Sequence, residues 1–237
     1  MALMTSEPST AAPGQPMMHH FHPYSDNGGT TVAVAGKDFV VVASDTRLSE
    51  GYSIYTREQS KIFNLTDNTV LLSTGCWCDV ITFVKVLQAR IKFYNYDHRK
   101  AMSTGAVAQL VSTMLYGKRF FPYYISNMVA GIDENGVGCV YDYDPVGCFE
   151  RLTFHSVGSS APLIQPFLDS VIGQLNQKKP VEKRELTEEY VKSVIKDAFV
   201  SAGERDIYVG DGVHIQVIRK DGGNDPKAVE YFPLRKD

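Results

Sequence analysis

The sequence predicts an α+β protein: a four-layer α-β-β-α sandwich in which two antiparallel sheets pack together and a pair of helices flanks each. Three observations lead there. Short apolar strands recur in two blocks, and each block is followed by two amphipathic helical stretches. The strands are apolar on both faces instead of cleanly alternating, as expected of sheets covered on both sides. The 237 residues include 24 Lys+Arg and 27 Asp+Glu, a formal charge of −3, with 43% hydrophobic and 22% charged residues. Such a chain is too apolar to be disordered, and it lacks the basic excess of a nucleic-acid binder.

Thr30–Ala35 and Phe39–Ala43 are β-branched and apolar runs around Gly36-Lys37-Asp38, which reads as a hairpin. Ser60–Leu65 and Thr69–Thr74 supply two more strands. Val80, Phe83, Val84, Leu87, Ile91 and Tyr94 then recur at helical spacing, with Asp79 as the expected cap. Ala106, Val107, Leu110, Val111, Met114 and Leu115 trace a second helix, opened by Ser103 or Thr104. In the second block, Tyr124–Ile132 and Val137–Tyr143 flank Asp133-Glu134-Asn135-Gly136, and an Asn-Gly pair between apolar runs is a hairpin cue. Phe149–Ser156 adds a strand. Ala161–Ile172 and Thr187–Ala202 are helical, and Glu188 and Glu189 suit the positive end of the helix dipole. Val213–Lys220 and Ala228–Pro233 close the chain as a hairpin around Asp221-Gly222-Gly223-Asn224.

No repeat and no linker divides the ordered region, so residues 20–237 are expected to form one domain. Residues 1–19, broken by Pro8, Pro13 and Pro16, read as a flexible leader. Cys76, Cys78, Cys139 and Cys148 are too few for a disulfide framework and wrongly spaced for zinc, so reduced thiols in a reducing compartment are expected. His19, His20 and His22 read as a solvent-exposed cluster, not metal ligands. The Asn64-Leu65-Thr66 sequon is incidental, since the start has neither the basic region nor the apolar core of a secretory signal. No run approaches the ~18 apolar residues of a membrane span. Walker, dinucleotide, metalloprotease and serine-elbow motifs are all missing, so no cofactor and no metal are expected.

What remains is a strand start at Gly28-Gly29-Thr30-Thr31, then Ala43-Ser44-Asp45-Thr46-Arg47, an isolated Lys61, Gly158-Ser159-Ser160, and the run from Glu204 through Asp206 and Val209 to Asp211-Gly212. On these segments the chain, from about Phe21 onward, resembles the proteasome beta subunits of the N-terminal-nucleophile hydrolase superfamily. The segments beginning at Phe21, Tyr116 and Tyr143 are similar to one non-catalytic branch of that family. Active members attack peptide carbonyls with an N-terminal threonine freed by cleavage after a glycine. A lysine and an orienting aspartate assist, because a hydroxyl is a weak nucleophile until a base sits within hydrogen-bond reach. The family's spacing, counted from Asp45, places the nucleophile at Gly29 and the lysine at Lys61. Aspartate and lysine match; the nucleophile does not, because glycine has no side chain. Active members also carry a serine three residues after Asp206, where this chain has Val209.

Thr30 and Thr31 are the candidate substitutes after shifted processing. Thr30 should point to the opposite face of the strand from position 29, and Thr31 lies ~6–7 Å further along. Neither meets the ~3 Å reach that base catalysis needs. Asp45 and Lys61 therefore read as a retained, partly buried ion pair, and no residue is assigned a catalytic role. The resemblance implies a structural subunit of the 20S core particle, working in ATP- and ubiquitin-dependent protein degradation in cytoplasm and nucleus. Its implied partners are the other beta subunits of its ring, alpha-ring subunits, the opposing beta ring and assembly chaperones, with no nucleic acid and no membrane. It also implies that the leader is trimmed near His20 by active neighbours. The polar loop near Lys178–Arg184, containing Lys178-Lys179-Pro180, and the tail after Asp221 are expected to be partner-specific.

Overall fold

A computed structural model describes residues 21–174, 185–222 and 228–236. Strands β1 (Thr30–Ala35) and β2 (Phe39–Asp45) form the predicted hairpin, with Ala35 opposite Val40. They join β10 (Phe154–Gly158), β11 (Gly212–Arg219) and β12 (Glu230–Pro233) in a five-stranded antiparallel sheet of order β10-β1-β2-β11-β12. The second sheet, also antiparallel, runs in chain order through β5 (Ile62–Thr66), β6 (Thr69–Gly75), β7 (Ile125–Ile132), β8 (Gly138–Tyr143) and β9 (Phe149–Leu152). Helices α1 (Trp77–His98) and α2 (Thr104–Tyr116) precede β7, and α3 (Ala161–Leu168) and α4 (Glu188–Gly203) precede β11.

Strand alternation sorts the side chains into three apolar layers. Val32, Val34, Val41, Ala43, Val213 and Ile215 turn outward onto Ile164 and Leu168 of α3 and the Val191, Ile195, Ala198 and Phe199 face of α4. Leu71, Val129, Cys139 and Tyr141 meet Phe83, Leu87, Val107 and Val111 of α1 and α2 in the same way. Between the sheets, Ala33, Val40, Val42 and Ile218 pack on Val70, Leu72, Met128 and Val140. Each fully buried Val, Leu, Ile or Phe contributes about 1.5–3 kcal/mol. The arrangement is the α-β-β-α sandwich that the periodicity predicts.

Four local features differ from expectation. Asp79 does not cap α1: the N-cap is Cys76 without a side-chain bond, and Asp79 Oδ2 instead accepts from the Tyr124 backbone N–H at 2.9 Å. A carboxylate in the first turn suits the dipole, but here it ties α1 to the start of β7. Phe149–Ser156 is not one strand, because β9 pairs with β8 while β10 pairs with β1, so the chain crosses between sheets near Thr153. The stretch Ala161–Ile172 is α-helical only to Leu168 and ends in a π-type turn, Asp169–Gly173. A two-stranded hairpin, β3 (Leu48–Glu50) with β4 (Ser53–Thr56), is additional. Ser103 caps α2 by accepting from Ala106 N, and Thr187 caps α4 by accepting from Tyr190 N. The polar loop near Lys178–Arg184 lies outside the described residues.

Candidate functional site

Three of the residues singled out from sequence meet at one point. Asp45 ends β2, Lys61 immediately precedes β5, and Gly29 leads into β1. All three are buried. The Lys61 ammonium donates to Asp45 Oδ1 at 3.0 Å, to the Asp45 carbonyl at 3.0 Å and to the Arg47 carbonyl at 2.7 Å. An ammonium carries three N–H donors, so each has a short-range acceptor. Asp45 Oδ1 also accepts from the Thr30 backbone N–H at 2.8 Å, which fixes the strand start against β2. Asp45 Oδ2 is buried and has no hydrogen-bond partner among the described residues.

Burial pushes the Asp45 carboxyl up, while Lys61 and the Thr30 N–H pull it back. Burial pushes the Lys61 ammonium down, and Asp45 opposes that shift. The geometry is that of a desolvated ion pair in which each charge compensates the other's transfer from water.

Gly29 is shaped around this lysine. Its φ is +88°, and Gly28 before it has φ +64°. A Cβ added at position 29 would lie 2.4 Å from Lys61 Cε and 3.0 Å from Nζ. The volume that a side chain at position 29 would fill is therefore filled by the lysine stem, and the left-handed backbone independently disfavours any L side chain. On the far side, Gly158 (φ +108°) brings β10 so close that a Cβ there would sit 2.1 Å from the Gly29 carbonyl oxygen. The positive φ angles of Gly28 and Gly29 thus constrain the backbone at the strand start.

The two threonines diverge as strand alternation requires. Thr30 accepts from Ser160 N at 2.9 Å and lies 3.3 Å from Ser159 Oγ. Ser160 Oγ in turn donates to Asp206 Oδ2, and Asp206 Oδ1 accepts from Tyr208 N. Asp206 thus joins the end of β10 to the loop after α4. Thr31 Oγ1 is buried with no hydrogen-bond partner among the described residues. Val209, where a serine would stand, is buried in the helix-side core.

Two buried polar clusters beside the site escape the sequence reading. Asn27 laces the entering chain across the site: its N–H donates to the Gly75 carbonyl at 3.2 Å and its carbonyl accepts from Ser49 N at 3.4 Å. Its side-chain amide donates to the Ser49 carbonyl at 3.2 Å and accepts from Trp77 N at 2.9 Å. Asp211 (φ +67°) accepts from Arg47 Nε at 2.8 Å and from Arg57. Arg47 also donates to the Ile207 carbonyl at 2.8 Å. Both Arg47 and Asp211 lie inside quoted segments, so a signal existed; nothing in sequence indicated that they pair.

Residues 25–218 match the model of the family described as "Proteasome subunit". Proteasome subunit beta type-1 of Danio rerio is 48% identical over 222 residues, covering 94% of this chain and 92% of the relative. The protein of the same name from Drosophila melanogaster is 50% identical over 225 residues, covering 94% of each. Proteasome subunit beta type-6 of Saccharomyces cerevisiae is 42% identical over 245 residues, covering the whole of both chains. A matched family model across most of the chain and such identity over nearly its full length lead to one conclusion: the chain belongs to the proteasome beta subunit family.

Proposed function

We propose that this chain is a non-catalytic, structural beta subunit of the 20S core particle. The observation that carries the reading is at position 29. Where active members place the attacking threonine, this chain has a glycine in a left-handed conformation whose side-chain space is filled by Lys61. As an ammonium donating to three acceptors, Lys61 has no lone pair with which to take a proton, as a general base must. The Asp45–Lys61 pair then acts as an internal strut between the start of β1, the end of β2 and the approach to β5.

In this role residues 1–19 form a leader trimmed near His20, and residues 20–237 form a single domain. The chain contributes to assembly of the beta rings through contacts with neighbouring beta subunits, alpha-ring subunits and the opposing beta ring, with assembly chaperones engaged on the way. It would serve ATP- and ubiquitin-dependent degradation in cytoplasm and nucleus. No helix among the described residues is long and apolar enough to cross a membrane.

The test is N-terminal sequencing of the assembled subunit, together with labelling by a threonine-directed covalent inhibitor. The expected result is a subunit that begins upstream of Gly29 and carries no label. A labelled subunit beginning at Thr30 or Thr31 would overturn the reading in favour of a threonine peptidase activated by shifted processing.

A further inference from the structure

The turn that follows α2 displays large aromatic side chains to solvent on a rigid base. In the isolated chain Phe120 is 98% exposed, Phe121 58% and Tyr116 65%, and Phe21 beside them is 82% exposed. The turn that carries these phenylalanines is held by backbone hydrogen bonds. Gly117 N donates to Thr113 O, Lys118 N to Leu115 O, Arg119 N to Tyr116 O and Phe121 N to Lys118 O, all at 3.0–3.1 Å. The exit is pinned by Tyr24 Oη on the Pro122 carbonyl at 2.7 Å and by Tyr124 N on Asp79. Tyr123 packs its ring edge-on against Phe83 in the core beneath, and the Phe121 ring lies tilted against Phe21 and Tyr24, with centroids 6.5 and 5.8 Å away.

Such an element is prepaid for binding: the aromatic area is large and its ordering cost is already met by the fold. Its charge gives the partner's chemistry. Lys118 and Arg119 flank Phe120, and residues 116–124 contain no acidic side chain. The nearby carboxylates are already engaged: Asp79 with Tyr124 N and Asp26, which lies close to Tyr124, with Gly28 N. A second copy of this chain meeting the same turn across a two-fold axis would set Lys118 and Arg119 against themselves. Residues 1–20 offer a single carboxylate, Glu7. Both are poor complements for two adjacent cations. We propose that the Tyr116–Phe121 turn is a docking knob: Phe120 seats in an apolar socket of a different proteasome subunit, and carboxylates on the socket's rim meet Lys118 and Arg119. The proposal rests on the assembly role argued above.

The test uses the full chain, tagged and expressed as the only copy in cells. Phe120→Ala and the pair Lys118→Glu/Arg119→Glu are compared with wild type. Tyr52→Ala, at a 99% exposed site outside the turn, is the control. Each variant is scored for the fraction that enters core particles on native gels. Loss of a buried anchor or reversal of its charge should lower that fraction by at least about fivefold. Unfolding midpoints of the purified chains should stay within about 2 °C, because fully exposed residues are being changed. A benzophenone-bearing phenylalanine at position 120 should crosslink to a peptide of another proteasome subunit that carries Asp or Glu near the attachment point. This crosslink leaves the charged residues intact, so it decides the matter even if a variant folds poorly. Crosslinking to residues 1–20 or to a second copy, or wild-type incorporation of both variants, would overturn the inference alone. A wild-type chain that itself stays out of core particles would overturn the assembly reading and this inference together.

Discussion

Replacing Lys61 by methionine tests whether the buried ion pair is a strut. Methionine keeps most of the stem volume that fills the space beside Gly29, so the cavity term is small and the change isolates the ammonium. Three donated hydrogen bonds disappear, two of them to the Asp45 and Arg47 carbonyls, and the fully buried Asp45 carboxyl keeps the Thr30 N–H but loses its charged partner. Removing one partner of a buried pair costs about 3–5 kcal/mol, because the remaining charge is uncompensated. For a domain of this size that is a fall of about 6–20 °C in unfolding midpoint. The double variant Lys61→Met/Asp45→Asn removes both charges and keeps an amide oxygen for Thr30 N. It should recover about 1–3 kcal/mol relative to the sum of the single changes, the coupling expected of groups in contact. Circular dichroism of the purified full chain on heating reads all four corners of the cycle. A Lys61→Met cost below about 1 kcal/mol, or a double variant that simply adds the single effects, would refute the strut.

Other perturbations test the same geometry from different sides. Gly29→Ala forces a Cβ onto Lys61 and holds an L-residue at φ +88°, so it should cost about 1–3 kcal/mol; a midpoint within 1–2 °C of wild type, by the same heating experiment, would mean the strand start relaxes freely. His214 is held below its ordinary 6.5 first by burial and then by nearby Lys61. It is therefore neutral in the fold, and its contribution is complete above 6.5 and lost as pH falls through the lowered value. His214→Gln should flatten the mildly acidic part of the stability profile followed by urea unfolding from pH 7 to 5; an unchanged slope would exclude His214 as its source. Asp133 accepts from Val137 N and Asn135 N in the β7–β8 turn and pairs with Arg151. Those donors, the Val137 N–H foremost, hold its carboxyl below the usual 3.8. Asp133→Ala should cost about 1–2 kcal/mol at neutral pH, and the deficit should narrow as pH falls from 3.8 through the lowered value, below which the folded wild-type carboxyl is protonated too.

The layers were legible because they follow from alternation and helical spacing. The two-sided apolar strands Val32–Ala35 and Val40–Ala43 and the stripes of α1, α2 and α4 each admit one burial. The misses have a common cause. Asp79 at the head of α1 is a plausible cap on local grounds, but Tyr124, 45 positions away, offers its N–H instead. Phe149–Ser156 reads as one apolar run, and only the competition of β8 and β1 for partners divides it at Thr153. At the site, Gly29, Asp45 and Lys61 could be placed by spacing along the chain. The clasp of Asn27 across Ser49, Gly75 and Trp77 could not, since all of Asn27's partners there are backbone groups that nothing in their residue types marks.

That distinction bears on what the site is for. A buried lysine is costly, and a chain free of catalytic work would lose little by replacing the Asp45–Lys61 pair with apolar residues of similar volume. Apolar replacements, however, would leave three backbone groups without partners: the Asp45 and Arg47 carbonyls and the Thr30 N–H, all of which the pair satisfies. Each stranded group costs about 1–3 kcal/mol. The corner where β2 leaves its sheet toward β3 exposes those groups whatever chemistry occurs beside them. Lys61 is thus held in place by the backbone as much as by Asp45. A glycine at position 29 takes away no partner of the pair and leaves the lysine stem the room it occupies. On the proposed non-catalytic reading, a glycine at position 29 and persistence of the ion pair are compatible with the same local geometry.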